Sequence, residues 1–232
     1  MDSLGKLAGN VAHDFNNLLN IILGYASQRD PLPQDDAAQQ ARMKKIVDAT
    51  RRGKQLTDKL LTLARVDPPT RQIFDANAAL AEMLPMIHSI LGERIGIESV
   101  LCEPIARIRM DYAEFETCIL NIAKNAGDAM PQAGTFRIES AIVADEVHLR
   151  FADDGHGMRP EVAMRIFEPF FTTKPPTRGT GIGLAVVYRT IVESDGHIDV
   201  HSTPGRGTCF TLRLPLQQAP VYTADARVAS PV

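Results

Sequence analysis

The chain has 232 residues, 44% hydrophobic and 23% charged, with a formal net charge of -3. That length holds one large or two small domains with adequate cores, and the composition is that of a globular protein. The nearly balanced charge gives no basis for binding nucleic acid or an acidic membrane surface. No apolar run reaches the ~18 residues that a membrane-spanning helix needs, and no secretory leader is recognisable. Cys102, Cys118 and Cys209 are odd in number and widely spaced, so they read as reduced, buried thiols, and a cytoplasmic location is expected.

The first predicted element is a helical hairpin. Leu4, Leu7, Val11, Leu18, Ile21 and Tyr25 fall on a heptad seam interrupted at Asp14. The stretch Arg29–Asp36, with Pro31 and Pro33, breaks it, and a second seam follows at Ile46, Ala49, Gly53, Leu56, Leu60 and Leu63. Two such helices joined by a short loop form an antiparallel pair. Each still leaves apolar surface open, so a homodimeric four-helix bundle is expected. His13 lies off the seam on the solvent side, followed by Asp14, with Asn17 one turn later on nearly the same face. Val66-Asp-Pro-Pro-Thr70 ends the second helix, because proline lacks an N–H and disfavours helix in the residue before it. The expected division is a hairpin over 1–67, a second domain over 68–216, and a disordered tail or linker over 217–232.

In the second domain, Arg71–Phe74 reads as a strand, and Asp75 or Asn77 can cap a helix running to about Leu91. Gly96–Leu101 and Ile105–Met110 are short strands. Asp111 can cap the next helix, which carries Ile119–Met130. Thr135–Val143 with Glu146–Ala152, and Gly196–Ser202 with Thr208–Leu214, read as hairpins. His197 and His201 have the spacing of a helical metal site, but they sit in an alternating strand pattern, which argues against metal there.

Three segments carry chemistry. Asn121, Asn125 and Asp128 recur at helical spacing and form one oxygen-rich stripe, which suits Mg²⁺ carrying phosphates. The strand ending in Phe151 runs into Asp153-Asp-Gly-His-Gly-Met158, a carboxylate just before a turn without side-chain bulk. It is not a calcium-binding EF-hand loop, since the twelfth position from Asp153 is Met164 where a Glu is needed. Gly179-Thr-Gly-Ile-Gly-Leu184 opens a helix, where glycines let backbone N–H groups approach phosphate. Its spacing fits neither the dinucleotide fingerprint nor a P-loop.

Together these segments resemble the N, G1 and G2 boxes of the ATP-binding domain of sensor histidine kinases, the Bergerat-type nucleotide fold. Ile166-Phe-Glu-Pro-Phe-Phe-Thr-Thr-Lys174 resembles that family's F box, and Val11-Ala-His-Asp-Phe-Asn-Asn-Leu-Leu19 resembles its H box. The resemblance extends from Leu4 to about Leu216. It implies an α+β chain: a dimeric helical hairpin, then an α/β sandwich whose mixed sheet carries three helices on one face.

The resemblance also assigns roles. His13 is the phosphoacceptor, Asp14 orients its ring, and Asn17 matches the position that places water for dephosphorylating the partner. An imidazole with an ordinary pKa of about 6.5 is largely unprotonated at neutral pH and therefore nucleophilic. Asn125 is the Mg²⁺ ligand, and Asn121 contacts phosphate or metal-bound water. Asp153, or its neighbour Asp154, accepts from the adenine amino group. Gly155 and Gly157 allow close approach of the base, and Thr208 stands beside it. Asp128, Met158, Phe167, Gly181, Ile182, Gly183 and Leu184 complete the nucleotide set. Lys124, Lys174 and Arg178 are candidate phosphate contacts, the last two in a lid over Thr172–Thr180; Thr180 joins the set.

In gyrase-like ATPases of the same fold, the residue four before the metal Asn is a water-activating Glu. Here it is Asn121, a poor base, so the γ-phosphate is spared for His13. The implied activity is protein-histidine kinase: autophosphorylation of His13 from ATP and Mg²⁺, transfer to an Asp of a response-regulator receiver, and dephosphorylation of that regulator. The alternatives are a phosphotransfer adaptor with a non-catalytic ATP domain, a serine kinase of the anti-sigma type, or an ATP hydrolase. No sensory or receiver segment is recognisable, so a core apart from its sensor is expected.

Overall fold

The computed structural model describes residues 20, 22, 41, 43–50, 53, 70–103, 105–175, 179 and 181–217. The chain divides into two compact units, Met1–Pro68 and Pro69–Val232. In the first, residues 43–50 are helical, with Ala49 buried and Met43 and Val47 exposed. His13, Asp14, Asn17, Arg178, Thr180 and the stretch 218–232 lie outside the described residues. Among the described residues no helix is long and apolar enough to cross a membrane.

In the second unit, strands β1 (Arg71–Asp75) and β3 (Arg107–Asp111) pair antiparallel as a separate ribbon. The remaining strands are β2 (Ile95–Val100), β4 (Gly134–Val143), β5 (Glu146–Asp153), β6 (His197–Thr203) and β7 (Gly207–Pro215). They form one sheet in the order β2-β4-β5-β7-β6, parallel between β2 and β4 and antiparallel elsewhere. The expected mixed sheet is therefore present. Alternation sets its faces: Val147, Leu149 and Phe151 of β5 point into the core while Arg150 is exposed. Phe210, Leu212 and Leu214 of β7 do the same.

Helices α1 (Ala76–Leu91), α2 (Tyr112–Ala129) and α4 (Gly183–Glu193) pack side by side, α2 between the others, and close the core. A four-residue turn of helix, α3 (Pro160–Ala163), follows β5. Both expected acidic caps form. Asp75 accepts from the Asn77 N–H at 3.0 Å, and Asp111 from the Glu114 N–H at 3.2 Å. Each cap also holds another strand: Asp75 accepts from Ala106 N–H, and Asp111 from Thr70 N–H. Helix α1 continues through Pro85, which is exposed, as is Ala81, whose carbonyl loses its usual donor. The apolar stripe of α2 is Phe115, Cys118, Ile119, Ile122, Ala123 and Ala126. That leaves Asn121, Asn125 and Asp128 on a different face. Of the three cysteines, Cys118 is buried and Cys102 and Cys209 are half-buried, all as free thiols. Gln217, one residue past Leu216, donates its N–H to Arg107 O at 2.9 Å.

Candidate functional site

A cleft of about 520 Å³ opens between α2, the loop after β5, and the segment leading into α4. Its two ends differ in chemistry.

At one end stands Asp153, the last residue of β5, facing Thr208 across the β5–β7 ladder. Burial pushes the Asp153 carboxyl above its ordinary range, and the backbone N–H groups of Gly155 and Thr208 pull the other way. The Gly155 N–H donates to the carboxylate at 3.0 Å. Gly155 has to be glycine here, because a Cβ would sit 2.7 Å from Ala129 O at the end of α2. Gly157, at φ 63°, is pressed against the Thr203 carbonyl, and Gly207, at φ 91°, against the Asp153 carbonyl. The β6–β7 turn and the loop after β5 thus interlock, and the Gly205 N–H donates to His156 O at 2.8 Å. Met158, Thr208 and Phe210 line this end.

At the other end the stripe on α2 faces the cleft: Asn121, Lys124, Asn125 and Asp128 all line it. The Asn125 amide donates from Nδ2 to the Asn121 carbonyl at 3.0 Å, which turns its Oδ1 outward from the helix. That oxygen and Asp128 Oδ2 converge on one positive centre, the Lys174 ammonium, at 2.9 and 2.6 Å. The pair is therefore a donor set suited to a cation. Helix α4 begins here without a side-chain cap or an acidic residue in its first turn, an arrangement suited to an anion. Gly183 passes close to Asn121, where a Cβ would lie 3.0 Å from Oδ1. Gly181, at φ 63°, lies against the Phe170 backbone, and the Phe170 N–H donates to Gly181 O at 2.7 Å.

Two family models match the chain. "His Kinase A (phospho-acceptor) domain" covers residues 3–69, and "Histidine kinase-, DNA gyrase B-, and HSP90-like ATPase" covers residues 110–218, the stretch that contains the cleft. The sensor kinase CckA of Brucella abortus is 32% identical over 248 aligned residues, taking in 99% of this chain and 26% of CckA. The sensor histidine kinase ZraS of Klebsiella oxytoca is 32% identical over 217 residues, 92% of this chain and 46% of ZraS. The chain belongs to the sensor histidine kinases. It spans between about a quarter and a half of the length of these curated relatives. Among solved structures, histidine kinase ThkA in complex with response regulator protein TrrA has a TM-score of 0.70 at 21% identity, covering 93% of this chain and 63% of that one. Acinetobacter baumannii histidine kinase AdeS has a TM-score of 0.62 at 20% identity, covering 89% and 98%. At these identities the likeness speaks for the fold.

Most of the kinase's expected nucleotide residues come together. Asn121, Lys124, Asn125, Asp128, Asp153, Gly157, Met158, Lys174, Gly181, Gly183, Leu184 and Thr208 line the one cleft. Three do not. Gly155 sits behind Asp153, Ile182 is buried, and Phe167 packs its ring on Tyr188 of α4 at 5.3 Å between centroids. Phe171 is the F-box ring that does line the cleft, with the Arg165 guanidinium 4.3 Å from its centroid. The neighbouring Asp154 turns away and accepts from the Thr135 N–H at 2.9 Å. Sequence reasoning passed over Val162, Ile166 and Phe210, the apolar walls. Val162 in α3, Ile166 just beyond it and Phe210 in β7 read as ordinary core residues, so only their adjacency to the polar boxes could have flagged them. It also passed over His156, between the two glycines of the loop.

Proposed function

We propose that this kinase core binds ATP with Mg²⁺ in the cleft, autophosphorylates His13, and passes the phosphoryl group to an Asp of a response-regulator receiver. The observation that carries the reading is the pairing of a half-buried carboxylate, Asp153, at one end of a single cleft with an oxygen pair that already meets a cation, Asn125 and Asp128, at the other. It stands in a chain whose residues 3–69, including His13, match the phospho-acceptor model.

In this reading Asp153 and Thr208 take the adenine edge. Asn125 Oδ1 is the residue atom that would hold Mg²⁺, an ion that prefers oxygen ligands. A Mg²⁺ ion held there would supply positive charge against that developing on the transferred group. Asn121 contacts phosphate or metal-bound water, while Lys124, Lys174 and the start of α4 hold the phosphates. A ring nitrogen of His13 then forms a bond to the γ-phosphorus as the bond to the bridging oxygen breaks and ADP leaves. Asp14 steadies the ring as it gains positive charge, and Asn17 places the water that dephosphorylates the regulator. Asn121 in place of a carboxylate leaves water without a base, which favours transfer over hydrolysis. The hairpin is assigned to 1–67 and the ATP domain to 68–216, with dimerisation through the hairpin and a cytoplasmic location.

The test is incubation with γ-labelled ATP and Mg²⁺, comparing the parent with His13→Ala and Asn125→Ala. Acid-labile label on the parent and on neither variant is expected. Label that persists in His13→Ala would move the acceptor elsewhere.

A further inference from the structure

The Ser202 hydroxyl, near the end of β6, makes three polar contacts. It lies 2.8 Å from the Met158 N–H, 3.1 Å from Gly207 O and 3.0 Å from Thr208 Oγ1. A hydroxyl has a single proton to give. The Met158 N–H can only donate, and the Gly207 carbonyl can only accept. If Ser202 gave its proton to Thr208, two acceptor oxygens would face each other at the Gly207 contact. All three contacts are hydrogen bonds in one arrangement alone: Met158 donates to Ser202, Ser202 donates to Gly207 O, and Thr208 donates to Ser202. The Thr208 proton is then committed, and its oxygen offers only lone pairs to anything in the cleft it lines. Asp153, opposite Thr208 in the ladder, is likewise an acceptor when ionised.

We propose that Ser202 is a positioning residue that fixes the direction of the Thr208 hydroxyl, so that this end of the cleft presents only acceptors and selects 6-aminopurine over 6-oxopurine nucleotides. A 6-amino group brings protons to such a surface; a 6-oxo group brings a third acceptor and leaves buried polar groups unpaired. Without Ser202 the Thr208 hydroxyl rotates and can donate, and the mismatch with a 6-oxo group is relieved. Ser202 acts through Thr208 and touches no base itself. The inference rests on the reading of the cleft as an adenine-nucleotide site.

The test measures ADP and GDP affinity by titration calorimetry on the whole chain, as parent, Ser202→Ala, Ser202→Thr, Thr208→Val and the Ser202→Ala/Thr208→Val double variant, with a thermal melt of each. Ser202→Ala is expected to lower the ADP:GDP affinity ratio about tenfold, the scale of one hydrogen bond reversed. Ser202→Thr, which keeps the hydroxyl, holds the parent ratio. Thr208→Val lowers the ratio similarly, and the double variant lowers it no further, because one hydroxyl carries both effects. Equal weakening of both nucleotides in Ser202→Ala, or losses that add in the double variant, would overturn the inference and leave Ser202 a structural residue. If Ser202→Ala does not fold, the ratio in Thr208→Val decides: a ratio equal to the parent's overturns it. An Asp153→Asn control separates the two levels. A ratio unchanged there, or a parent without ADP preference, overturns the adenine reading itself.

Discussion

At the Asp153 end of the cleft the backbone holds the polar groups, whereas at the Lys174 end long side chains do. Asp153 is fixed by a strand ladder, by N–H groups of Gly155 and Thr208, and by glycines pressed against carbonyls of neighbouring segments. Lys174 reaches Asp128 through side chains that remain 31% and 39% exposed. One end is therefore as rigid as the sheet that builds it, and adding bulk at its glycines threatens the fold. The other can be altered at little cost in stability, which suits groups that must follow a phosphoryl transfer.

The sharpest way to break this contrast is to add a methyl group where the segments interlock. Gly157→Ala places a Cβ against the Thr203 backbone at a left-handed φ, and no flexible side chain can yield. A loss of about 3 kcal/mol is expected, or roughly 10 °C in melting temperature for a unit of this size. Gly205→Ala is the control, from the β6–β7 turn on the other side of the contact. It shares the positive φ, but its Cβ meets nothing within 4 Å, so only the conformational cost of about 1 kcal/mol should appear. Equal melting shifts in the two variants would mean that the turn and the loop are not interlocked.

Asp153 comes next, and its two effects oppose each other. Losing a charged acceptor in Asp153→Asn should weaken ADP binding by about 1.5–3 kcal/mol, roughly tenfold to a hundredfold. Stability should hold or rise, because burial penalises the ionised carboxyl. The pH dependence follows from the same direction. A carboxyl whose pKa is raised on folding binds its proton more tightly in the folded state, so this group costs stability at neutral pH and that cost is relieved as pH falls through its raised value. Adenine binding moves the other way and weakens as the carboxylate is protonated, starting above the ordinary carboxylate range near pH 4. ADP affinity measured from pH 7 downward should show this step in the parent and lose it in Asp153→Asn.

These contrasts also explain what was legible in the sequence. The strand ends fall within about two residues of expectation, because alternation and the caps Asp75 and Asp111 are local signals. The polar stripe on α2 was readable for the same reason. The pairing of β1 with β3 outside the main sheet joins residues more than thirty apart, and no local pattern encodes it. Ser202 escaped notice because a serine near the end of a strand looks like surface; its importance comes from three partners that only folding assembles. Phe167 and Phe171 lie in one motif, and the sequence does not say which ring meets the cleft and which meets Tyr188.

The smallest expected effect tests the adjustable end. The Lys174–Asp128 pair is short at 2.6 Å, but both side chains are partly in water, where screening and side-chain entropy offset most of the attraction. Asp128→Asn should therefore lower stability by less than about 1 kcal/mol, and by still less in high salt. Asn at this position keeps an oxygen that can face Lys174, so the loss reports charge rather than shape. Melting curves of the parent and Asp128→Asn at low and at high salt measure it. A loss as large as that of Gly157→Ala, or one that salt does not reduce, would place the Lys174 end among the rigid parts of the fold and dissolve the difference between the two ends.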